Sequence, residues 1–149
     1  MVKNDLLQKL KMREWEYKDS LYTPLMHSVE YLNCISDPLL SVVIISWRLH
    51  PDTINNLIAL ERQKKSHEFE VIFVNNGADV SAFSSLLPYI DTYVSLNENT
   101  GAYIARNIGA LYCKAPILLF LEDDGIPDNQ LIESYMMVYK KYIAYSVQG

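Results

Sequence analysis

Cysteine, histidine and glycine are scarce in this sequence, and their scarcity argues against several common kinds of site. The 149 residues include two cysteines, three histidines and five glycines. Cys34 and Cys113 do not form a C-x-x-C pair, and the histidines at 27, 50 and 67 show no metal-ligand spacing. We therefore expect neither a disulfide framework nor a zinc site.

The sequence also lacks an excess of positive charge and any long apolar run. Its formal net charge is -5, whereas a nucleic acid or an anionic membrane surface is bound through clustered Lys and Arg. No stretch of about 18 apolar residues could span a bilayer, and none follows Met1 as a leader would. The predicted location is the cytoplasm, with peripheral attachment to a membrane in a full-length form as the alternative.

Two glycine-rich phosphate loops are missing as well. Neither GxxxxGK[ST] nor GxGxxG occurs, and Gly77 and Gly101 stand alone in their turns. These absences disfavour a P-loop nucleotidase and a dinucleotide-dependent oxidoreductase.

What is present from Ser41 onwards is an alternation of apolar runs and amphipathic segments. Runs at 41–47, 69–74, 91–96 and 116–121 predict strands, the last of them central, and a further strand is expected to start near 144. Helical patterns lie between them, one with the small-residue stripe Ala102, Ala105 and Gly109, which would permit close approach to a sheet. The order predicts a three-layer, Rossmann-like α/β fold with a mostly parallel sheet.

Residues 1–40 do not share that alternation. Their aromatic residues are interspersed with Lys, Arg and Glu, which predicts an N-terminal extension of helices packed on the outside. Two roles stay open for it, a structural cap and a partner-binding or acceptor-side role. We place the boundary at Asp37-Pro38, because the residue before proline is driven out of the α region. Residues 41–149 are then one domain.

Polar groups follow three of the predicted strands, at the edge where open parallel sheets bind ligands. They are Ser46-Trp47, Asn75-Asn76-Gly77 and Glu122-Asp123-Asp124-Gly125. Adjacent carboxylates repel one another unless a cation offsets their charge, and oxygen ligands suit Mg²⁺ or Mn²⁺. The residues alone leave two interpretations of the acidic cluster open, a divalent-metal site and a structural loop cap.

Four local motifs, in order along the chain, resemble family 2 glycosyltransferases of the GT-A fold. They are the first strand through Trp47, the segment Val71–Ala78, the segment Asn97–Gly109 and the segment Phe120–Asp128. These resemble, respectively, the family's opening strand, its Asp-Asp/Asn-Gly-Ser turn, its Asn-x-Gly-x-x-x-Ala-Arg-Asn-x-Gly helix and its DXD region.

The resemblance implies a metal site in the acidic cluster. Asp124 would bind Mn²⁺ or Mg²⁺, and Asp123 would lie near the ribose or also reach the metal. Glu122 departs from the family pattern, since it stands where Asp is usual.

The resemblance also implies a donor site built from the other strand ends. Ser46 and Trp47 would contact the donor, with Trp47 beside the base, and Asn76 would face the nucleobase. Gly101 would let the backbone approach the donor. Arg106 would either approach the diphosphate or pair with the acidic loop. Amides at 75 and 76 replace acids that are usual in the family.

The implied reaction transfers a sugar, with inversion, from a nucleotide-diphosphate sugar to a glycan or lipid-linked acceptor, and a UDP-sugar is the expected donor. The general base is expected beyond Gly149, so this chain alone should bind donor with little or no transfer. Two alternatives stay open: a non-catalytic nucleotide-binding or interaction module of the same fold, and a nucleotidyltransferase-like enzyme. The segment 47–50 lacks the glycine- and lysine-rich loop that the latter would need.

Overall fold

A computed structural model describes residues 21–64 and 68–142 of the chain, which form a five-stranded sheet with helices on both faces. The strands are β1 (Met26–Tyr31), β2 (Leu40–Ser46), β3 (Phe69–Asn75), β4 (Thr92–Leu96) and β5 (Leu118–Leu121). The helices are α1 (Thr53–Gln63), α2 (Ala102–Leu111) and α3 (Leu131–Tyr142), with 3₁₀ segments at Thr23–Leu25 and Val80–Tyr89.

The strand order in the sheet is β1-β4-β3-β2-β5. Strands β2 to β5 run parallel, and β1 pairs antiparallel with β4. One apolar cluster joins α1, α3 and the second 3₁₀ segment to one face of the sheet, and another joins α2 to the opposite face. The predicted three-layer α/β fold is confirmed. Within the described ranges no helix is long and apolar enough to cross a membrane.

The helical prediction for residues 1–40 is wrong for Met26–Tyr31, which form β1. Met26 and Val29 pack against the α2-side cluster, and the strand covers the outer edge of β4, whose backbone groups would otherwise lack partners. Because much of β1 is exposed, apolar and polar residues alternate only weakly along it. Its sequence therefore does not show the pattern of a strand. Residues 1–20 lie outside the described part of the chain.

The central position predicted for the strand at 116–121 is not present among the described residues. In the described sheet β5 is an edge strand paired with β2 alone, and Leu118 and Phe120 are 39% and 45% exposed. Its apolar composition resembles that of the buried strand β2, but position in a sheet depends on which remote strands pair with it. The strand expected near residue 144 lies outside the described residues.

Helix α2 packs closely on the sheet through small residues, as its sequence predicts. Ala105 and Gly109 are buried, whereas Ala102 is exposed. A Cβ added at Gly109 would lie 2.5 Å from Val43 Cγ1 and 3.0 Å from Val74 Cγ2. The missing side chain therefore lets α2 lie against β2 and β3, and it fixes where the N-terminus of α2 meets the carboxyl edge of the sheet.

Replacing Gly109 with Ala should lower the free energy of unfolding by about 1–2 kcal/mol. The added methyl group overpacks the contact with Val43 at a cost of roughly 1–3 kcal/mol, which outweighs the helix-propensity gain of about 0.5–1 kcal/mol. Urea denaturation measures the difference. Gly125→Ala is the matched control, since its Cβ would meet nothing within 4 Å, and it should change stability by less than about 0.5 kcal/mol. Equal stability of the two variants would contradict this packing account.

Candidate functional site

The candidate site lies at the carboxyl edge of the sheet, where β2, β3 and β5 end side by side. Ser46 closes β2, the turn Asn75-Asn76-Gly77 ends β3, and the acidic turn, defined here as Glu122–Gly125, follows β5. The backbone N–H of Asn76 donates to the Ser46 carbonyl oxygen over 2.8 Å, which joins the first two strand ends. The predicted convergence of these segments is thus present in the structure.

Two of the three carboxylates in the acidic turn have protein partners. Arg106, on α2, forms an ion pair with Glu122. Ser46 Oγ lies 2.5 Å from Asp123 Oδ2 and 2.6 Å from the Arg48 carbonyl oxygen, so its proton can be donated to either acceptor. The third carboxylate, Asp124, is exposed and has no hydrogen-bond or ion-pair partner in the part of the chain that the structure describes. The turn therefore presents one uncommitted carboxylate.

Two buried amides on α1 hold the acidic turn and the segment that follows it, and the sequence analysis missed both. Asn56 Nδ2 donates to the carbonyl oxygens of Glu122, at 2.9 Å, and Gly125, at 2.6 Å. Gln63 Nε2 donates to the Asp128 carbonyl oxygen over 2.9 Å. Asn56 and Gln63 are seven residues apart, on the face of α1 that also buries Leu57 and Leu60. That spacing is the feature of the sequence that places both amides on the buried face of the helix.

The side chain of Asn76 ties the β3 turn to the loop that precedes α2. It is 4% exposed, and its Oδ1 accepts from Thr100 N at 2.9 Å and from Thr100 Oγ1 at 3.0 Å. Its Nδ2 donates to Asn99 Oδ1 at 3.1 Å and to the Gly101 carbonyl oxygen at 3.4 Å. Both amide atoms are thus engaged by the loop, and the prediction that Asn76 faces a nucleobase stays a prediction.

The neighbouring residues explain why this turn needs its sequence. Gly77 has a φ of +89°, and a Cβ there would lie 2.3 Å from Asn99 N, so both backbone conformation and close approach require glycine. Asn75 Nδ2 donates to Tyr93 Oη over 3.1 Å. Burial raises the pKa of Tyr93, so its hydroxyl stays neutral and can donate to the Val80 carbonyl oxygen, 3.2 Å away.

A cavity of about 260 Å³ opens between these strand ends. Its walls are formed by Ile45, Ser46, Trp47, Asn76, Asn99 and Ala102. Trp47 is 55% exposed, and the Arg48 guanidinium lies 4.7 Å from its ring centroid. The structure thus brings three residues of the predicted donor site, Ser46, Trp47 and Asn76, into one cavity wall.

The remaining predicted residues surround that cavity. Asp123 is hydrogen-bonded to Ser46 in the cavity wall. Gly101, with a φ of +82°, immediately precedes α2, and its carbonyl oxygen accepts from Asn76. Arg106 contacts Glu122, which matches the second of its two predicted roles, pairing with the acidic loop. No structural observation tests what any of these residues binds.

The carboxylate oxygens of the acidic turn fit a divalent metal whose remaining coordination positions are filled by substrate and water. No group of three His, Cys, Asp or Glu side chains converges within the described residues, so a cage made by the protein alone is not formed there. Mg²⁺ and Mn²⁺ are commonly held by one or two carboxylates together with substrate phosphates and water. Asp124, with Asp123 adjacent to it, supplies that number.

Comparison with known proteins gives a family match over most of the chain. The model of a family described as Glycosyl transferase family 2 matches residues 41–148. A curated Bacillus subtilis (strain 168) protein, the uncharacterized glycosyltransferase YfnE, is 26% identical over an alignment of 106 residues that covers 67% of this chain and 26% of that protein.

Two solved structures share the fold. Mannosyltransferase PcManGT from Pyrobaculum calidifontis, in complex with GDP-Man and Mn²⁺, aligns with a TM-score of 0.62 at 15% identity over 88% of this chain and 40% of its own. S. aureus TarS aligns with a TM-score of 0.59 at 17% identity over 68% of this chain and 19% of its own. The chain therefore spans about a quarter of its curated relative and less than half of either structural neighbour.

Replacing Asn76 with Ala should release the loop before α2 and lower the free energy of unfolding by about 1–3 kcal/mol, because buried partners lose their hydrogen bonds. Hydrogen exchange at the Thr100 amide checks the local effect, which should be faster exchange. Asn76→Asp is the matched comparison: it keeps an acceptor for Thr100 and should preserve most of that protection. Equal exchange rates at Thr100 in the two variants would contradict the role assigned to Oδ1.

Proposed function

Since the chain belongs to glycosyl transferase family 2, we propose that it supplies the donor-binding part of a glycosyltransferase that uses a nucleotide-diphosphate sugar. Its site is the cavity at the carboxyl edge of the sheet together with the acidic turn. Asp124 would hold a divalent metal, Mn²⁺ or Mg²⁺, which would supply positive charge for the donor diphosphate.

The observation that supports this proposal best is the unequal treatment of the three carboxylates. Glu122 is neutralised by Arg106, and Asp123 is hydrogen-bonded by Ser46. Asp124 alone is exposed and uncommitted within the described residues. An acidic turn that served only as a loop cap would need no free carboxylate at its outer side, whereas a substrate-completed metal site needs one or two.

The cavity wall supports a role in holding the nucleoside. Trp47 offers an exposed aromatic face on which a base can stack, and Ser46 orients Asp123 towards the ribose side of the site. Asn76 acts here through the loop it holds, and Gly101 lets that loop approach the donor. Arg106, paired with Glu122, contributes by offsetting negative charge beside the diphosphate.

Sugar transfer needs charge to be offset on the diphosphate as it leaves. When bound, a divalent metal supplies that charge. The residues of this chain orient the donor and hold the leaving group beside Asp124, which pre-organises the electrostatics of the step. Inversion at the anomeric carbon, a glycan or lipid-linked acceptor, and an acceptor-activating base stay predictions.

Two nucleobases, uracil and guanine, are candidates for the donor. A UDP-sugar is the first expectation from the sequence, but the structural neighbour PcManGT is described with GDP-Man and Mn²⁺. Both nucleotides therefore belong in the binding experiment, which also separates a donor site from an interaction module of the same fold.

Replacing Asp124 with Asn should abolish Mn²⁺-dependent binding of UDP or GDP, whichever the wild type prefers, because the amide removes the charged ligand without changing its size. Isothermal titration in Mn²⁺ and in EDTA measures the dependence. We expect the wild type to bind more tightly in Mn²⁺ and the variant to bind equally weakly in both.

Glu133→Gln is the matched control, because it removes the same charge from an exposed position in the first turn of α3. It should keep the Mn²⁺ dependence of the wild type. If Asp124→Asn also kept it, the acidic turn would be a structural cap. A wild type that bound neither nucleotide would favour an interaction module.

A further inference from the structure

Asn56 donates hydrogen bonds to both ends of the acidic turn. It is 1% exposed on α1, and its Nδ2 lies 2.9 Å from the Glu122 carbonyl oxygen and 2.6 Å from the Gly125 carbonyl oxygen. Those two carbonyl groups bracket Asp123 and Asp124. Both protons of one amide nitrogen are therefore used to close a four-residue turn.

The orientation of this amide is fixed by its surroundings. Rotating it by 180° would place Oδ1 against two carbonyl oxygens, which cannot donate. In the observed orientation Oδ1 is buried and has no hydrogen-bond partner among the described residues. A small cavity of about 130 Å³ beside it has mostly apolar walls, including Leu121, Ile126, Pro127 and Leu131. Burying Oδ1 without a hydrogen bond therefore lowers stability, whereas Nδ2 uses both of its protons to bind the acidic turn.

We infer that Asn56 is the positioning residue that sets the backbone of the acidic turn for metal-dependent donor binding. The inference rests on the proposed function, since the metal and the diphosphate belong to it. Ser46 and Arg106 fix the side chains of Asp123 and Glu122, but no side chain in the described ranges fixes Asp124. The direction of the Asp124 carboxylate depends on the backbone of the turn, and Asn56 holds that backbone at its two ends.

The same helix provides a comparison residue. Gln63 lies two turns further along the buried face of α1 and is 6% exposed. Its Nε2 donates to the Asp128 carbonyl oxygen at 2.9 Å, and its Oε1 accepts from Ile132 N at 3.0 Å. Gln63 therefore binds the segment after the acidic turn and leaves the turn itself untouched.

The test compares Asn56→Leu with Gln63→Leu in the full 149-residue chain. The dissociation constants of UDP and of GDP are measured by calorimetry in Mn²⁺ and in EDTA. For each nucleotide, the constant in EDTA divided by the constant in Mn²⁺ is the ratio that reports how strongly the metal promotes binding. Loss of a group that orients a metal ligand typically weakens metal binding about 10- to 100-fold. We expect Asn56→Leu to lower the ratio about 10-fold with its affinity in EDTA unchanged, and Gln63→Leu to keep the wild-type ratio.

The outcomes separate this inference from the proposed function. A wild-type ratio of one would overturn the proposed function and the inference with it. A wild-type ratio above one that Asp124→Asn abolishes, combined with an unchanged ratio in Asn56→Leu, would overturn the inference alone. An equal fall in Asn56→Leu and Gln63→Leu would assign the effect to a general loosening of α1 and would also overturn it.

A measurement on the wild-type protein keeps the inference testable if Asn56→Leu does not fold. The side-chain NH₂ protons of Asn56 should exchange slowly with solvent in ¹⁵N-resolved NMR spectra, and their signals should shift when UDP or GDP is added with Mg²⁺. Rapid exchange, or signals that do not move while the nucleotide binds, would overturn the inference.

Discussion

Hydrogen bonds from buried side-chain amides hold the loops at the carboxyl edge of the sheet, and the geometry of the candidate site depends on them. Parallel strands that end together leave several turns crowded at one edge, and the buried backbone groups of those turns need partners. Asn76 supplies them for the loop before α2, and Asn56 supplies them for the acidic turn. Without these bonds the same residues would lie at the same edge but would not be fixed relative to one another.

The three carboxylates of the acidic turn differ in whether a partner offsets their charge. Three consecutive carboxylates at the end of an apolar strand would repel one another in the absence of partners. Arg106 reaches Glu122 from α2, and Ser46 reaches Asp123 from β2, so elements on different parts of the sheet each offset one charge. Arg106 lies on α2, the helix that packs closely on the sheet at Gly109. The charge that remains, on Asp124, faces outwards.

Much of the fold was predictable because its local signals are strong. The β-branched runs at β2 and β3 and the small residues of α2 are enough to identify these elements and their packing. The structure differs from the sequence-based expectation in relations between distant segments. β1 has no clear pattern because it is a half-exposed edge strand, and β5 has the composition of an internal strand while occupying an edge of the described sheet. The family match covers residues 41–148, while β1, which pairs with β4 in the same sheet, lies before that range.

The sequence by itself determined the α/β fold, the order of the strand-end motifs and the family to which the chain belongs, because these depend on short-range patterns along the chain. Only the tertiary structure decided which acidic residues of the turn are paired, where the Asn76 amide is engaged, and that Asn56 and Gln63 contact segments more than 60 residues away. The physical reason is that the spacing of a buried amide marks the buried face of a helix but does not identify its hydrogen-bond partner. Its partner is chosen by the packing of α1 against the sheet, and that packing exists only in the folded chain.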